Sequence, residues 1–227
     1  MDATNNALQM DRSSLSEYES KKLLASYGIP ITREILVTNQ KDLESAIRKI
    51  GFPLVLKGSS AEVSHKTEKG LVRVDIRTQE EAVSAFQDLL GSLAPDGGVL
   101  VQEMIEGKRE LVAGLTRDPQ FGPCVMFGLG GIFTEILEDV SFRVAPLNRS
   151  DALAMMQDIR GHKILDSIRG MEPVDRDALA SILINLGKIG LEHEEIQEID
   201  INPLIVRKGI PVAVDALVVI QREARPL

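Results

Sequence analysis

The spacing of apolar positions changes several times along the chain, and each change marks an element. Beyond a polar stretch, residues 1–13, Leu15, Leu23, Leu24 and Tyr27 fall near one face of a helix. Ser14 or Ser16 can cap its start, and Gly28 followed by Pro30 ends it. EILVT (34–38) reads as a strand, Asn39 to Ile50 as a helix stopped by Gly51, and PLVLKG (53–58) as a buried strand. LVRVDI (71–76) alternates like a half-exposed strand, QEEAVSAFQDLLGSL is a helix ending near Gly91, and VLVQEMI (99–105) is again a strand.

The pattern then shifts toward longer strands: ELVAGLTRD, FGPCVMFG and FTEILEDVSFRVAPL, turning at Asp118–Pro119 and at Gly128–Gly131. Helical periods return around 149–160 and 175–191. IQEIDINPLIVRKG and IPVAVDALVVI close the chain as a hairpin about Lys208–Gly209. Crossover units mixed with hairpins predict an α/β or α+β fold with two subdomains. There are no repeats and no low-complexity linkers.

Composition narrows the function. The chain has 227 residues, 44% of them hydrophobic, so a core can form without staples, and with no Trp that core is aliphatic. A net charge of -8 leaves no cation excess for nucleic acid, although a nucleotide needs only a few local cations. The one cysteine, Cys124, lies in an apolar run, reads as core and fits a reducing compartment. The polar N-terminus has no apolar signal core, and no run reaches the roughly 18–20 apolar residues that span a bilayer. The expectation is a soluble, cytoplasmic protein that binds no membrane.

Four features carry chemistry. Lys57 ends an apolar strand and opens the small, polar loop GSSAEVSHKTEKG, where its charge could hold phosphate oxygens or simply be solvated. Within that loop, His65 stands between Ser64 and Lys66; neutral imidazole can accept a phosphoryl group, and a surface histidine is the plain alternative. GLGGIFTE (128–135) lets backbone approach a ligand or makes a wide turn, but it lacks the spacing and following helix of a dinucleotide fingerprint. Finally, Glu198, Asp200 and Asn202 alternate along one strand, and a turn near Gly209 brings Asn202 close to opposite Asp215. Acidic groups in an apolar strand are costly unless paired or metal-bound, and oxygen donors suit Mg²⁺; a wetted polar face is the other reading.

In order along the chain, LSEYESKKLLASYGIP, PLVLK, SHKTEKG, VQEMIEGKREL, RDPQFGP, FGLGGIFTEILEDVSFRVAPL and EIDINPL…VAVDA resemble the ATP-grasp β subunit of ADP-forming acetyl-CoA synthetases. A more distant likeness is to the β subunit of succinyl-CoA synthetase. The resemblance covers 14–220 and implies an ATP-grasp fold with the nucleotide cleft between two α+β lobes. Residues 1–13 would be a tail, 14–29 a helix packing with the C-terminal lobe, 30–103 the smaller mobile lobe and 104–227 the larger one. It further implies that Lys57, Ser64 and Lys66 serve the nucleotide phosphates, that Glu103 and Met104 offer backbone groups to adenine, and that Glu110 faces the ribose. Asn202 and Asp215 would hold Mg²⁺, and His65 would be transiently phosphorylated, where succinyl-CoA synthetase has an arginine-bearing loop.

The reaction implied is acyl-CoA + ADP + phosphate ⇌ carboxylate + CoA + ATP. CoA-binding and ligase domains would then lie on a partner α subunit, in an α2β2 assembly. Competing readings are an ATP-grasp carboxylate–amine ligase, which needs no His65, and a non-catalytic ATP-grasp lobe of an acyltransferase. The presence of Lys57, His65, Asn202 and Asp215 together speaks against the last.

Overall fold

In a computed structural model of the chain, residues 12–59, 70–94, 97–131, 139–168 and 170–221 are described. The chain divides into two units, one formed by Thr32–Ile105 and one by Met1–Ile31 with Glu106–Leu227. The sequence suggested 30–103 for the smaller unit. Residues 30 and 31 fall to the larger unit because Pro30 accepts the Ala213 N–H and Ile31 bridges to Ala213.

The smaller unit is a four-stranded antiparallel sheet backed by two helices. Its strands are β1 (Glu34–Val37), β2 (Leu54–Ser59), β3 (Val72–Ile76) and β4 (Gly98–Glu103), in the order β1-β4-β2-β3. Helix α2 (Gln40–Ile50) starts at the Asn39 cap, and α3 (Gln79–Gly91) starts at a Thr78–Glu81 capping box. Leu54, Leu56, Val99 and Val101 meet Leu43, Ile47, Phe86 and Leu89 from the helices. Side chains alternate along a strand. Lys57 and Leu100, opposite each other in the ladder, therefore lie on the sheet face away from the helices.

The larger unit is built on β5 (Glu110–Asp118), β6 (Gly122–Leu129), β7 (Val140–Val144), β8 (Ile196–Arg207), β9 (Ile210–Ala213) and β10 (Leu217–Ile220). The order is β10-β8-β5-β6-β7, with β9 beside the far half of β8. Helices α4 (Arg149–Asp158) and α5 (Arg176–Glu192) cover one face, where Leu111, Ala113, Leu115, Val125 and Phe127 join the core. The core positions of β6 are the odd ones, so Cys124 is half-buried on the face opposite α4 and α5 and not in the core where the sequence placed it. Burial, and then Asp118, push its thiol up.

The expected hairpin arm IPVAVDALVVI is two strands. The Lys208–Gly209 turn has positive φ at both residues, which suits a tight hairpin, and it sets the β8–β9 register. The arm breaks at 214–216, where the Asp215 carboxylate takes the Ala216 N–H at 2.8 Å in place of a ladder bond.

Helix α1 (Glu17–Ser26) packs along β10. Ser16 is its cap, in a reciprocal box with Glu19, and Ser14 instead bridges to Val219. Burial alone would raise the Glu19 carboxyl, but Arg12 and the Ser16 hydroxyl and N–H outweigh it and hold the group at about 2. That value lies below the ~4.3 of an unfolded glutamate, so the interaction stabilises above that pH and fades as pH falls toward 2. Both Arg12 and Glu19 touch water, which weakens the pair. Glu19→Gln is expected to cost about 1 kcal/mol at neutral pH. Urea unfolding of both proteins should show that gap closing between about pH 4.3 and pH 2.

Candidate functional site

The polar residues of β8 lie where its ladder changes parity. Ala113 pairs with Ile201 but Leu111 pairs with Leu204, so β8 carries one extra residue there. Such a bulge re-aims the side chains around it. On the other edge of β8 the register is unbroken from Glu198 to Arg207. Two steps from the Leu204–Ala213 pair, or two steps from the Asp200–Leu217 pair, lead to the same couple, Asn202 and Asp215. One step from Asp200 and Leu217 is the couple Ile201 and Ala216, both buried in the core. Asn202 and Asp215 therefore turn to the face opposite α4 and α5, Asn202 exposed and Asp215 half-buried.

Charge accumulates at this spot. Burial, then Glu198, then Asp215 push the Asp200 carboxyl up to about 6. Gly114, paired with Asp200 across the ladder, puts no side chain beside it; a Cβ there would lie 2.6 Å from the Ile199 carbonyl. A cation would relieve the repulsion among these carboxylates. Among the described residues, no group of three or more His, Cys, Asp or Glu side chains is placed to hold a metal ion by itself. One amide and one carboxylate oxygen, with phosphate and water completing the shell, form a donor set that fits Mg²⁺ and does not fit a softer metal.

The other expected residues are spread over both units. Lys57 is 5% exposed on β2. Glu103 ends β4 and Met104 follows it, and their N–H groups are already engaged: Glu103 donates to the Arg33 carbonyl at 2.9 Å and Met104 to the Pro53 carbonyl at 3.2 Å. Their use as donors to a base is therefore not supported. Pro53 has no N–H to return, so a backbone acceptor at Met104 remains consistent with the ladder. The Glu103 carboxylate accepts from the Arg33 N–H and Nε. Glu110 opens β5, and its carboxylate would sit 2.8 Å from a Cβ at Gly131, whose φ is +65°. The glycine turn thus makes room for Glu110, while Gly130 is pressed against the Glu110–Leu111 backbone. Ser64, His65 and Lys66 lie outside the described residues.

Arg143 pairs with Asp158, and His162 and His193 bond within the larger unit, so none of the three is part of this cluster. The structure adds Asp200, whose raised carboxyl the strand alternation alone did not single out. It also adds a buried ion pair, Glu17 and Lys21, on α1. The signal for that pair was present, since Glu17, Lys21 and Leu24 share one stripe at helical spacing.

An antiparallel sheet unit and a separate smaller unit carrying a buried strand lysine fit the ATP-grasp fold that the sequence resembles. A sequence model of the ATP-grasp domain matches residues 6–220. The chain is 43% identical over 212 residues to the β subunit of ADP-forming acetate–CoA ligase I of Pyrococcus furiosus, covering 91% of each. It is 37% identical to the ADP-forming acetate–CoA ligase I of Archaeoglobus fulgidus, of which it covers 31%. Among solved structures, it superposes with TM-score 0.87 at 44% identity on a Candidatus Korarchaeum cryptofilum acetyl-coenzyme A synthetase 1, covering 97% of this chain and 99% of that one. That protein is in complex with coenzyme A and Mg-AMPPCP, its phosphohistidine segment pointing towards the nucleotide binding site. The chain belongs to the ATP-grasp family, among the β subunits of ADP-forming acetate–CoA ligases.

If Asn202 and Asp215 share one ion, Asp215→Asn and Asn202→Ala should each weaken Mg·ADP binding by about tenfold or more. Both variants should keep the ligand-free melting temperature within a few degrees. Thermal shift at subsaturating Mg·ADP reads the difference, since ligand stabilisation follows the ratio of concentration to Kd. An unchanged shift in both variants would remove these residues from the metal site.

Proposed function

We propose that this chain is the nucleotide-handling subunit of an ADP-forming acyl-CoA synthetase, catalysing with its partner acyl-CoA + ADP + phosphate ⇌ carboxylate + CoA + ATP. The observation that carries the reading is a likeness running end to end along β subunits of this class, 91% of both chains. The Archaeoglobus relative is about three times longer than the region matched, consistent with the other domains being fused there. The partner here is an α subunit with CoA-binding and ligase domains, in an α2β2 assembly. No helix among the described residues is long and apolar enough to cross a membrane.

The chemistry is a phosphoryl relay. A phosphohistidine of the α subunit gives its phosphoryl group to His65: the old P–N bond breaks as a new one forms to the His65 imidazole. His65 then yields the group to a terminal oxygen of ADP, forming the new P–O bond of ATP. Lys57 places a point charge for the phosphate oxygens, and Ser64 and Lys66 flank the transfer. Asn202 and Asp215 orient the cation that travels with the nucleotide. Mg²⁺, when bound there, offsets the phosphate charge. Catalysis of this kind is mostly positioning and electrostatics. A relay suits an enzyme whose CoA and nucleotide sites lie on different chains.

Two outcomes test this. The purified chain should bind Mg·ADP yet make no measurable acyl-CoA or ATP until an α subunit is added. With α present, ATP and Mg²⁺ should leave an acid-labile, base-stable phosphate on wild-type β but none on His65→Asn. If His65 only donated a hydrogen bond, the variant would lose about 1–3 kcal/mol, a ~5–150-fold rate loss, and labelling of wild-type β would be absent. Full ATP formation by His65→Asn would refute the relay while leaving the family assignment intact.

A further inference from the structure

Helix α1 contains a lysine with no access to water. Lys21 is 0% exposed, and its ammonium lies 2.9 Å from the Glu17 carboxylate one turn earlier, a glutamate whose side chain is 2% exposed. The order, Glu four residues before Lys, is the favourable one on a helix. In a buried setting, however, two charges cost several kcal/mol to dehydrate, and a well-packed apolar pair of the same volume is often as stable or more so. Fold stability alone therefore gives little reason for an ion pair at these two positions.

The second contact of Lys21 indicates what the pair does. Its ammonium donates to the Val214 carbonyl at 3.2 Å, the residue immediately before Asp215. One position back on the same helix, the Ser20 hydroxyl accepts the Val218 N–H at 3.2 Å. Helix α1 thus holds the 214–218 segment on both sides of Asp215. Within it, residues 214–216 lie between β9 and β10: the Val214 N–H still donates to the Pro203 carbonyl of β8 at 3.1 Å, but Pro203 has no N–H to return to the Val214 carbonyl. Leu15 N–H to the Val218 carbonyl and Ser13 carbonyl to the Ile220 N–H tie the approach to the helix onto the same edge.

We propose that Glu17 and Lys21 are positioning residues: the buried pair clamps the Val214 carbonyl and so holds the Asp215 carboxylate in register with Asn202 for a nucleotide-borne divalent cation. Glu17 aims the ammonium, and Lys21 carries the contact. The proposal rests on the metal role of Asn202 and Asp215 given above. Groups that orient a metal ligand in this way are typically worth about 10–100-fold in metal affinity.

Removing Lys21 alone would strand a buried carboxylate and endanger the fold, so the test uses the double variant Glu17→Gln/Lys21→Met, which removes both charges together. The full chain is compared with Asp215→Asn and with the triple combination. Circular dichroism and cooperative melting report the fold, and calorimetry measures ADP binding across a Mg²⁺ titration. The double variant is expected to melt cooperatively, to bind metal-free ADP like wild type, and to need about tenfold or more Mg²⁺ for half-maximal enhancement of ADP binding. In the Asp215→Asn background the same pair of changes should add nothing, because the clamp acts through Asp215. Wild-type Mg²⁺ dependence in the double variant, with Asp215→Asn impaired, overturns the clamp and leaves the metal site standing. Additive losses in the triple variant also overturn it. Wild-type dependence in Asp215→Asn itself overturns the metal reading and the clamp together.

Discussion

The apolar alternation of β8 changes parity part-way along the strand, and the core of the larger unit depends on how that change is absorbed. With regular alternation through the whole of β8, Ile199 and Ile201 could not share the core with Leu204 and Val206. The extra residue between Ile201 and Leu204 reconciles the two halves, and the couple at the transition is Asn202 and Asp215. The partner strand is interrupted at 214–216, opposite Pro203, which has no N–H to give to the ladder.

The neighbouring features are understandable as consequences. The Val214 carbonyl, opposite a proline without an N–H, accepts from Lys21 of α1, and Ser20 takes the Val218 N–H from the same helix. The Asp200 carboxyl is raised by burial first, and then by the charges of Glu198 and Asp215. Crowding of this sort is unfavourable, and a cation bound there would relieve it. The smaller unit meets a different demand. It buries Lys57 on a strand that is otherwise apolar, on the face its helices do not cover.

Much of this was legible in the sequence because it depends on neighbours along the chain. Helix starts at Ser16, Asn39 and Thr78 follow from side chains that cap their own first turn. The pairing of Asn202 with Asp215 was countable from Lys208–Gly209, since a tight turn fixes the register of both arms. What the sequence could not determine depends on groups far away in the chain. Whether β9 and β10 are one strand or two turns on how Pro203 and Asp215 spend their hydrogen bonds. Whether Cys124 is core turns on which face of the sheet the helices cover. That Glu17 and Lys21 are buried could be decided only when the Val214 carbonyl, 193 residues away, came to meet the ammonium. Local spacing sets period, caps and turns; the burial of a charge is set by the partners that tertiary packing delivers to it.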